Sequence, residues 1–336
     1  MVSWQRRRLR QRSEAREGKL EAAVEVNLQV ELAPPVAGQA GLRLKNPILA
    51  ASGTFGYGVE FAEQVDLNRL GGLVVKGLSA QPMEGAPAPR LCETSSGMLN
   101  AVGLQNIGVR AFIAEKLPAL RRYDTAVIAN VFGHTVEEYV EVIERLEEAD
   151  GVAAYELNIS CPNVKKGGVE FGTNPQLTAE VVGAAKRAAR RRPLMVKLSP
   201  NVTDICELAR AAVEAGADAL TVANTWRGMA IDLVTRRSRL GSLTGGLSGP
   251  AIKPLALRMV WEVARAVPAP VIGVGGISTG EDAIEFLVAG ARAVQVGTAN
   301  FVQPSATIRI LEEVEMYCRS NKIAAISEVQ GTLQAD

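Results

Sequence analysis

Eight short apolar runs, separated by amphipathic segments, constrain the fold of this 336-residue chain more than any other sequence feature. Each run is rich in aliphatic and β-branched residues and is bounded by turn residues, which is typical of a buried strand. The runs are PILAAS (47–52), GLVVKGLS (72–79), AVIANVFG (126–133), AAYELNISC (153–161), PLMVKLSP (193–200), ALTVANT (219–225), PVIGVGG (270–276) and AVQVGTANF (293–301). Buried strands at this spacing predict a largely parallel sheet with helices between the strands.

The segments between the runs have helical periodicity. HTVEEYVEVIERLEEA (134–149) places most of its apolar residues on one face, and TDICELARAAVEAG (203–216) ends in a glycine suited to a helix C-terminus. Thr279 with Asp282 predicts a capping box at the start of a later helix. Eight strand–helix units over about 255 residues predict a (β/α)8 TIM barrel. A doubly wound open sheet is the alternative, and near-equal units without a break in composition favour the barrel.

Two segments go beyond a minimal barrel. Residues 26–46 alternate apolar and polar residues around a Pro/Gly turn, which predicts a β-hairpin that caps the N-terminal end of the barrel. The stretch Ala80–Ile107 is long, polar and rich in proline. Long loops that follow barrel strands lie at the catalytic face, so we expect the chemistry at the carboxyl ends of the strands.

Composition excludes several classes of site. A formal net charge of +1 provides no whole-surface field for nucleic acid or an anionic membrane. The four cysteines are dispersed, with no C-x-x-C pair, which argues against a local zinc or iron–sulfur site and is typical of a reducing, cytoplasmic environment. No apolar stretch is long enough for a membrane span. Any catalytic triad would have to use His134, the single histidine, and its place before a helix start favours a structural role.

The N-terminus is a separate, basic part of the chain. Residues 1–20 carry seven basic and two acidic residues, so the remainder carries 30 basic and 34 acidic residues. We expect residues 1–25 to be a disordered extension. A basic arm for a polyanion or membrane surface, and an overlong reading of the start codon, are the alternatives. Residues 26–336 are predicted to form the single barrel domain.

Amides, lysines and glycines are concentrated at the predicted strand ends, where carboxylates are nearly absent. This donor set argues against a two-carboxylate hydrolase or a magnesium site, and it suits a ligand with many carbonyl oxygens and ring nitrogens. The glycine-rich turns after the last two strands, GVGGIS and VGTANF, predict phosphate binding, whereas the Rossmann G-x-G-x-x-G pattern is missing. Lys76 and Lys197 each interrupt an apolar strand, which favours a site over two snorkelling side chains.

Cys161 is the most distinctive single residue. It lies in NISCPN just past the end of the fourth predicted strand, among polar amides. A thiolate in such surroundings is a candidate nucleophile or general base. Cys92, Cys206 and Cys318 are predicted to be ordinary small apolar side chains or simply exposed.

Nine ordered sequence blocks together resemble the class 1 dihydroorotate dehydrogenases, and most closely class 1B. The resemblance extends from about residue 26 to the C-terminus. The blocks are NPILAASGTFGYG, GGLVVKGLS, MLNAVGLQNIG, ELNISCPNVKKGG, VKLSPNVTD, ANTWRGMAIDL, GGLSGPAIKP, GVGGISTGEDA and VGTANF.

The resemblance implies FMN at the C-terminal mouth of the barrel and oxidation of dihydroorotate to orotate in pyrimidine biosynthesis. It implies that Cys161 is the base that removes the C5 proton while the C6 hydride goes to flavin N5. The implied substrate-binding residues are Lys76, Asn100, Ala101, Val102, Gly103, Leu104, Asn158, Asn163, Asn224 and Thr225. The implied FMN-binding residues are Ser52, Gly53, Lys76, Asn130, Asn158, Lys197, Gly249, Gly275, Gly276, Gly297 and Thr298.

Class 1B further implies that electrons reach NAD through a partner subunit carrying FAD and a [2Fe–2S] cluster, around a homodimeric core of a heterotetramer. No metal is expected on this chain. A class 1A enzyme that passes electrons to fumarate, another FMN barrel that acts on dihydropyrimidines, and a non-catalytic barrel subunit are the alternatives.

Overall fold

A closed eight-stranded parallel barrel forms the centre of the computed structural model, which describes residues 26–160, 165–166 and 169–334. Residues 1–25, Cys161 and Asn163 lie outside the described residues. In order around the barrel, the strands are Ile48–Ala50, Gly72–Val74, Ala126–Val131, Ala154–Asn158, Leu194–Lys197, Ala219–Val222, Val271–Val274 and Ala293–Val296. The predicted barrel is confirmed, and each predicted run contains one of these strands.

Helices cover the outside of the barrel. A continuous helical segment, Gly108–Leu120, follows the second strand and contains a π-helical stretch, Phe112–Lys116. The later helices are Val136–Glu147, Pro175–Ala188, Ile205–Glu214, Lys253–Ala266, Gly280–Val288, Ala299–Val302 and Ala306–Ser320. Their apolar faces join the strands in one continuous hydrophobic core.

Two helix ends agree with the signals in the sequence. The Thr279 hydroxyl accepts from the Asp282 backbone N–H and the Asp282 carboxylate accepts from the Thr279 backbone N–H, which is the predicted capping box. Gly216 follows the helix Ile205–Glu214 with a φ of +105°, a conformation that favours glycine.

The first and last units depart from the expected pattern. The first strand is followed by two 3₁₀ turns, Val59–Phe61 and Leu67–Arg69, and the C-terminal helix Ala306–Ser320 packs against that strand instead. The run 293–301 does not remain extended, because its strand ends at Val296 and Ala299–Val302 is helical.

The N-terminal hairpin is present. Val30–Ala33 pairs antiparallel with Leu42–Leu44, and the Gln39 side chain of its turn donates to the Arg192 carbonyl at 2.6 Å. Arg192 lies two residues before the start of the fifth barrel strand, so the hairpin closes the N-terminal end of the barrel, as predicted.

The long segment Ala80–Ile107 contains more structure than the predicted loop. It includes a hairpin, Leu91–Thr94 with Gly97–Asn100, which joins Gly245–Ser248 and Trp226–Gly228 in a four-stranded antiparallel sheet. Two smaller antiparallel pairs are Ile231–Asp232 with Arg237–Ser238, and Lys165–Lys166 with Val169–Glu170. The four-stranded sheet stands at the carboxyl ends of the barrel strands, because its residues line the cavity described below.

Candidate active site

A cavity of about 480 Å³ lies at the carboxyl ends of the barrel strands. Its volume is within the range of about 300–1,000 Å³ that small-molecule and cofactor sites occupy. All the sequence-predicted site residues that the structure describes line it: Ser52, Gly53, Lys76, Asn100, Ala101, Val102, Gly103, Leu104, Asn130, Asn158, Lys197, Asn224, Thr225, Gly249, Gly275, Gly276, Gly297 and Thr298. Ser160, which precedes Cys161 in the chain, also lines it.

The two lysines of the cavity differ in their surroundings. Lys76 follows the second barrel strand and is half-buried, and within the described part of the chain no carboxylate pairs with it. Its pKa is lowered, first because burial disfavours the ammonium form and second because the positive charge of Arg90 is near. Lys197, at the end of the fifth strand, is 6% exposed and lies 3.8 Å from the carboxylate of Glu156.

Glu156 forms a buried polar centre under the cavity. It is fully buried in the fourth strand, and its carboxylate accepts from Asn130 Nδ2 at 2.8 Å, Thr221 Oγ1 at 2.8 Å and Gln295 Nε2 at 2.6 Å. Gln295 is on the eighth strand, so this hydrogen bond crosses the barrel interior. Glu156 lies two residues before the end of its strand, so the pattern of polar residues at strand ends does not predict this carboxylate.

A polar cluster connects the fourth and sixth strand ends. Asn224 Nδ2 donates to Ser160 Oγ at 2.8 Å and to Asn158 Oδ1 at 3.3 Å, and Ser160 Oγ donates to Asn158 Oδ1 at 3.2 Å. The Tyr139 hydroxyl donates to the Asn158 carbonyl at 2.9 Å and so ties the strand end to the preceding helix, Val136–Glu147. These contacts hold the two asparagines at one side of the cavity.

The antiparallel sheet supplies another wall. Asn100 Nδ2 donates to the Gly246 carbonyl at 3.1 Å, which fixes the end of one strand against its neighbour. The chain then turns through Gly103 at φ +71°. A β-carbon there would lie 2.3 Å from the Ala86 nitrogen, so only glycine fits.

Glycine turns close the far side of the cavity. Gly275 and Gly276, after the seventh strand, have φ values of +135° and +76°, and Gly249 has a φ of +93°. The Thr298 hydroxyl donates to Ser248 Oγ at 2.8 Å and connects the eighth-strand turn to the sheet. Backbone exposed by such turns after the last two barrel strands suits a phosphate group.

The cavity wall fits a flavin mononucleotide. Asn130 Oδ1 is buried without a hydrogen-bond partner among the described residues, so it can accept from a ring N–H group. A β-carbon on Gly53 would meet nothing within 4 Å, which leaves room beside the first strand. Lysines, amides and glycine turns are the donors that ring carbonyls and a phosphate require.

The family model for dihydroorotate dehydrogenase matches residues 37–317. The chain belongs to the dihydroorotate dehydrogenase family.

Relatives support membership of the dihydroorotate dehydrogenase family. A Geotalea uraniireducens protein named dihydroorotate dehydrogenase B (NAD(+)), catalytic subunit, is 58% identical over 88% of this chain and 96% of its own length. A Geobacter sulfurreducens protein of the same name is 58% identical with the same coverage. A Solibacter usitatus protein, provisionally named dihydroorotate dehydrogenase A (fumarate), is 61% identical over 88% of this chain and 96% of its own length.

A solved dihydroorotate dehydrogenase shares the fold. The Eimeria tenella enzyme, crystallised with ferulenol, matches with a TM-score of 0.75 and 22% identity, over 95% of this chain and 92% of the other.

Several lining residues of this dihydroorotate dehydrogenase family member were not predicted from its sequence. They come from the antiparallel sheet and from the segments after the second, fourth, fifth, sixth and eighth strands: Met98, Gln105, Ser160, Asn201, Arg227, Thr244, Ser248 and Phe301. Ser160 could have been found from its place in NISCPN. The sheet residues gave no such signal, because their partners are distant in the chain.

The remaining candidates lie outside the cavity. His134 is exposed, and its backbone N–H donates to the Glu138 carboxylate at the start of a helix, as expected for a structural role. Cys92 and Cys318 are buried, and Cys206 is partly buried. Among the described residues, no three metal-ligating side chains come together and no helix is long and apolar enough to cross a membrane.

Proposed function

We propose that the protein is the catalytic chain of an NAD-linked dihydroorotate dehydrogenase, which oxidises dihydroorotate to orotate in pyrimidine biosynthesis with FMN. The observation that carries this proposal is the cavity of a family member that brings two lysines, five asparagines and the glycine turns together. The 58% identical relatives named dihydroorotate dehydrogenase B (NAD(+)), catalytic subunit, support the acceptor.

We assign the pyrimidine ring and its carboxylate to the side of the cavity formed by the sheet and the Asn158 cluster. Asn100, Asn158, Asn224 and Thr225 lie there, and their amide and hydroxyl groups match ring carbonyls, ring N–H groups and a carboxylate. The segment Ala101–Leu104 continues this wall. Asn163, predicted from its place in the NISCPN motif, completes the proposed set.

Cys161 is the proposed general base. Its thiolate would take the proton from C5 of dihydroorotate, and the adjacent carbonyl makes that carbon acidic. Donors near the substrate, which include the Lys76 ammonium, would stabilise the negative charge that develops. Ser160, which precedes Cys161 in the chain, lines the cavity and supports this assignment.

The proposed FMN site uses the other side of the cavity. When bound, FMN supplies the chemistry that the side chains lack, since it accepts a hydride from C6 at N5. Lys76, Lys197 and Asn130 would contact the ring system, with Ser52, Gly53 and Asn158 beside it. Gly249, Gly275, Gly276, Gly297 and Thr298 would hold the phosphate.

We propose that electrons leave through a partner subunit carrying FAD and a [2Fe–2S] cluster, with two copies of this chain at the centre of a heterotetramer. The term "catalytic subunit" in the relatives' names supports such a partner. Exposed apolar side chains near the antiparallel sheet support protein contacts there, because Leu233 and Val234 are 86% and 93% exposed. We also propose a cytoplasmic location, consistent with the dispersed cysteines.

Fumarate is the second candidate acceptor, and the name of the 61% identical Solibacter relative favours it. Reduction of the bound flavin by dihydroorotate, followed by addition of NAD or fumarate to the chain with and without its partner, separates the two. We expect NAD to reoxidise the flavin only with the partner. Reoxidation by fumarate in the isolated chain would assign the enzyme to the fumarate-linked class.

The base is tested with Cys161→Ala. We expect this variant to keep its flavin, while flavin reduction by dihydroorotate in a single turnover slows by about 10²–10⁴-fold, the usual contribution of a general base. Cys206→Ala is the matched control, because this thiol is partly buried on a helix outside the cavity. Reduction of the Cys161→Ala protein at the wild-type rate would contradict the assignment.

A further inference from the structure

Glu156 is an unusual side chain for the interior of a barrel. Such interiors are filled mainly by branched apolar residues, and burying a carboxylate is costly unless it is paired and hydrogen-bonded. Glu156 is fully buried and meets both conditions, with three hydrogen-bond donors and the Lys197 ammonium 3.8 Å away. Its environment is therefore built around a negative charge.

Two of the four partners of Glu156 belong to the cavity wall. Lys197 and Asn130 both line the cavity, whereas Thr221 and Gln295 do not. Glu156 thus connects the inside of the barrel to two groups that face the ligand. The effect of this carboxylate on Lys197 and Asn130 can be separated by experiment from its structural role.

The hydrogen bond to Asn130 fixes the orientation of its amide. A carboxylate only accepts, so the Nδ2 group of Asn130 must face Glu156 and the Oδ1 atom must point elsewhere. That oxygen has no hydrogen-bond partner, and a β-carbon on Gly77 would lie 3.0 Å from it. Gly77 also lines the cavity, so Glu156 turns an acceptor toward the ligand side.

The same carboxylate also lies beside the Lys197 ammonium. Lys197 is 6% exposed, and Glu156 is the anion that the described residues bring within 4.0 Å of it. The other charged groups that line the cavity, Lys76 and Arg227, are cations. Without Glu156, Lys197 would be a buried cation among like charges, a situation that favours the neutral amine.

We propose that Glu156 is a positioning residue that holds the positive charge of Lys197 at the flavin in both oxidation states of the cofactor. This inference rests on the proposed FMN site. Two electrons that enter the bound flavin then bring one proton with them, because Lys197 is already charged. If the lysine were neutral in the oxidised protein, the added negative charge would draw a second proton onto it.

Glu156→Gln tests this prediction with little change in shape. The readout is the midpoint potential of the bound flavin as a function of pH, above neutrality, with a chemical reductant in place of dihydroorotate. The slope reports protons taken up per electron. We expect one proton per two electrons in the wild-type protein and two in Glu156→Gln, which is a two-fold steeper slope.

Glu147→Gln is the matched control. Glu147 is also buried and lies 3.7 Å from a buried cation, Arg192, but this cation, unlike Lys197, does not line the cavity. We expect the wild-type slope in this variant, even if its stability falls. The Cys161 thiol and Lys76 are retained in all three proteins, so a difference confined to Glu156→Gln reports Glu156.

The double variant Glu156→Gln/Lys197→Gln locates the extra proton. With no lysine to charge, its slope should return to one proton per two electrons. A wild-type slope in Glu156→Gln, or a steep slope that persists in the double variant, would overturn the proposal. A two-proton slope in the wild-type protein would overturn it even if Glu156→Gln failed to fold.

Failure of the proposal for Glu156 can be distinguished from failure of the proposed dihydroorotate dehydrogenase activity. A chemical reductant reports the charge of Lys197 whichever substrate the flavoprotein uses, so the slopes test Glu156 even if dihydroorotate does not reduce the flavin. A wild-type protein that binds no FMN would overturn both proposals.

Discussion

Lys76, which is half-buried in the cavity wall, has two features that make its ammonium form less favourable than that of an ordinary lysine. It is a cation without a carboxylate partner among the described residues, and a second cation, Arg90, lowers its pKa further after burial has lowered it. Arg90 is held in place by the Ala86 carbonyl and the Gln105 side chain, at 2.6 Å and 2.7 Å. Its effect on Lys76 is therefore a fixed property of the loop.

This arrangement predicts a pH dependence for binding of the orotate anion. The Lys76 ammonium is lost at a lower pH than that of an ordinary lysine, so orotate affinity should fall as pH rises through this lowered pKa. Arg90→Gln removes one of the two causes and raises the pKa of Lys76, so the fall should move to higher pH. Titration of orotate into FMN-loaded Cys161→Ala protein measures the effect without interference from the thiol.

Arg90→Lys provides the control for charge. It keeps the positive charge near Lys76, so its pH profile should match that of the unsubstituted protein. An equal displacement in Arg90→Gln and Arg90→Lys would show that loop geometry, and not charge, sets the profile.

At the scale of single residues, the sequence predicts the cavity-lining side chains that lie at the ends of barrel strands. Lys76, Lys197, Asn130, Asn158 and Asn224 could be predicted because they interrupt or directly follow apolar runs, whereas Asn100 was implied only by the family resemblance. Glu156 could not, since its importance arises only when the barrel closes and brings Gln295, 139 residues away, into contact. The spacing of apolar and polar residues along the chain does not predict a contact between two residues so far apart in sequence.

Among the elements, the turn after Asn100 is the most sensitive part of the cavity wall. Gly103 has a φ of +71°, and a β-carbon there would lie 2.3 Å from the Ala86 nitrogen. Gly103→Ala must therefore displace the segment that lines the substrate side. Strain of about 1–3 kcal/mol predicts orotate binding weakened by roughly 10- to 100-fold, with FMN binding nearly unchanged.

Gly38→Ala is the control that separates backbone strain at a positive φ from the steric clash of an added β-carbon. Gly38 also has a positive φ, +82°, but a β-carbon there would meet nothing within 4 Å, and it lies in the turn of the N-terminal hairpin. We expect this control to lower stability slightly and to leave orotate affinity unchanged. Calorimetric titration of both variants with FMN and orotate provides the comparison.

The antiparallel sheet marks the limit of sequence-based prediction for elements. The eight barrel strands were found because each is buried on both sides and reads as a continuous apolar run. Leu91–Thr94 and Gly97–Asn100 are partly exposed and polar, and Asn100 pairs with Gly246 on a strand from a distant part of the chain. The stretch could therefore be predicted only as a long loop at the catalytic face.

Across the whole molecule, the two ends of the barrel have different roles. The carboxyl end holds the cavity, and the opposite end is closed by the hairpin and by a buried ion pair, Arg192 with Glu147. Arg192 is 5% exposed and donates to the carbonyls of Val152 and Leu146 at 2.8 Å and 2.9 Å. These contacts join the connection between the helix Val136–Glu147 and the fourth strand to the segment just before the fifth strand.

Arg192→Met should therefore lower stability without changing ligand binding. It leaves the Glu147 carboxylate buried and uncompensated, which predicts a loss of about 3–5 kcal/mol in the free energy of unfolding. Urea unfolding measures the loss, and fluorescence titration should give the wild-type affinity for FMN. Arg258→Met, in the exposed i,i+4 pair with Glu262, should change stability by less than about 0.5 kcal/mol. Loss of FMN affinity in folded Arg192→Met protein would contradict this division of roles.

Asn27 and the segment near the C-terminus meet at the closed end. The Asn27 backbone N–H donates to the Ala324 carbonyl, and the Gly331 backbone N–H donates to the Leu287 carbonyl near the end of the helix Gly280–Val288, which precedes the eighth strand. A molecule tethered through residues at either of these points, to a resin, an electrode or a fusion protein, would turn its open mouth outward. Substrate and a docking electron carrier would then reach the cavity without passing the anchor.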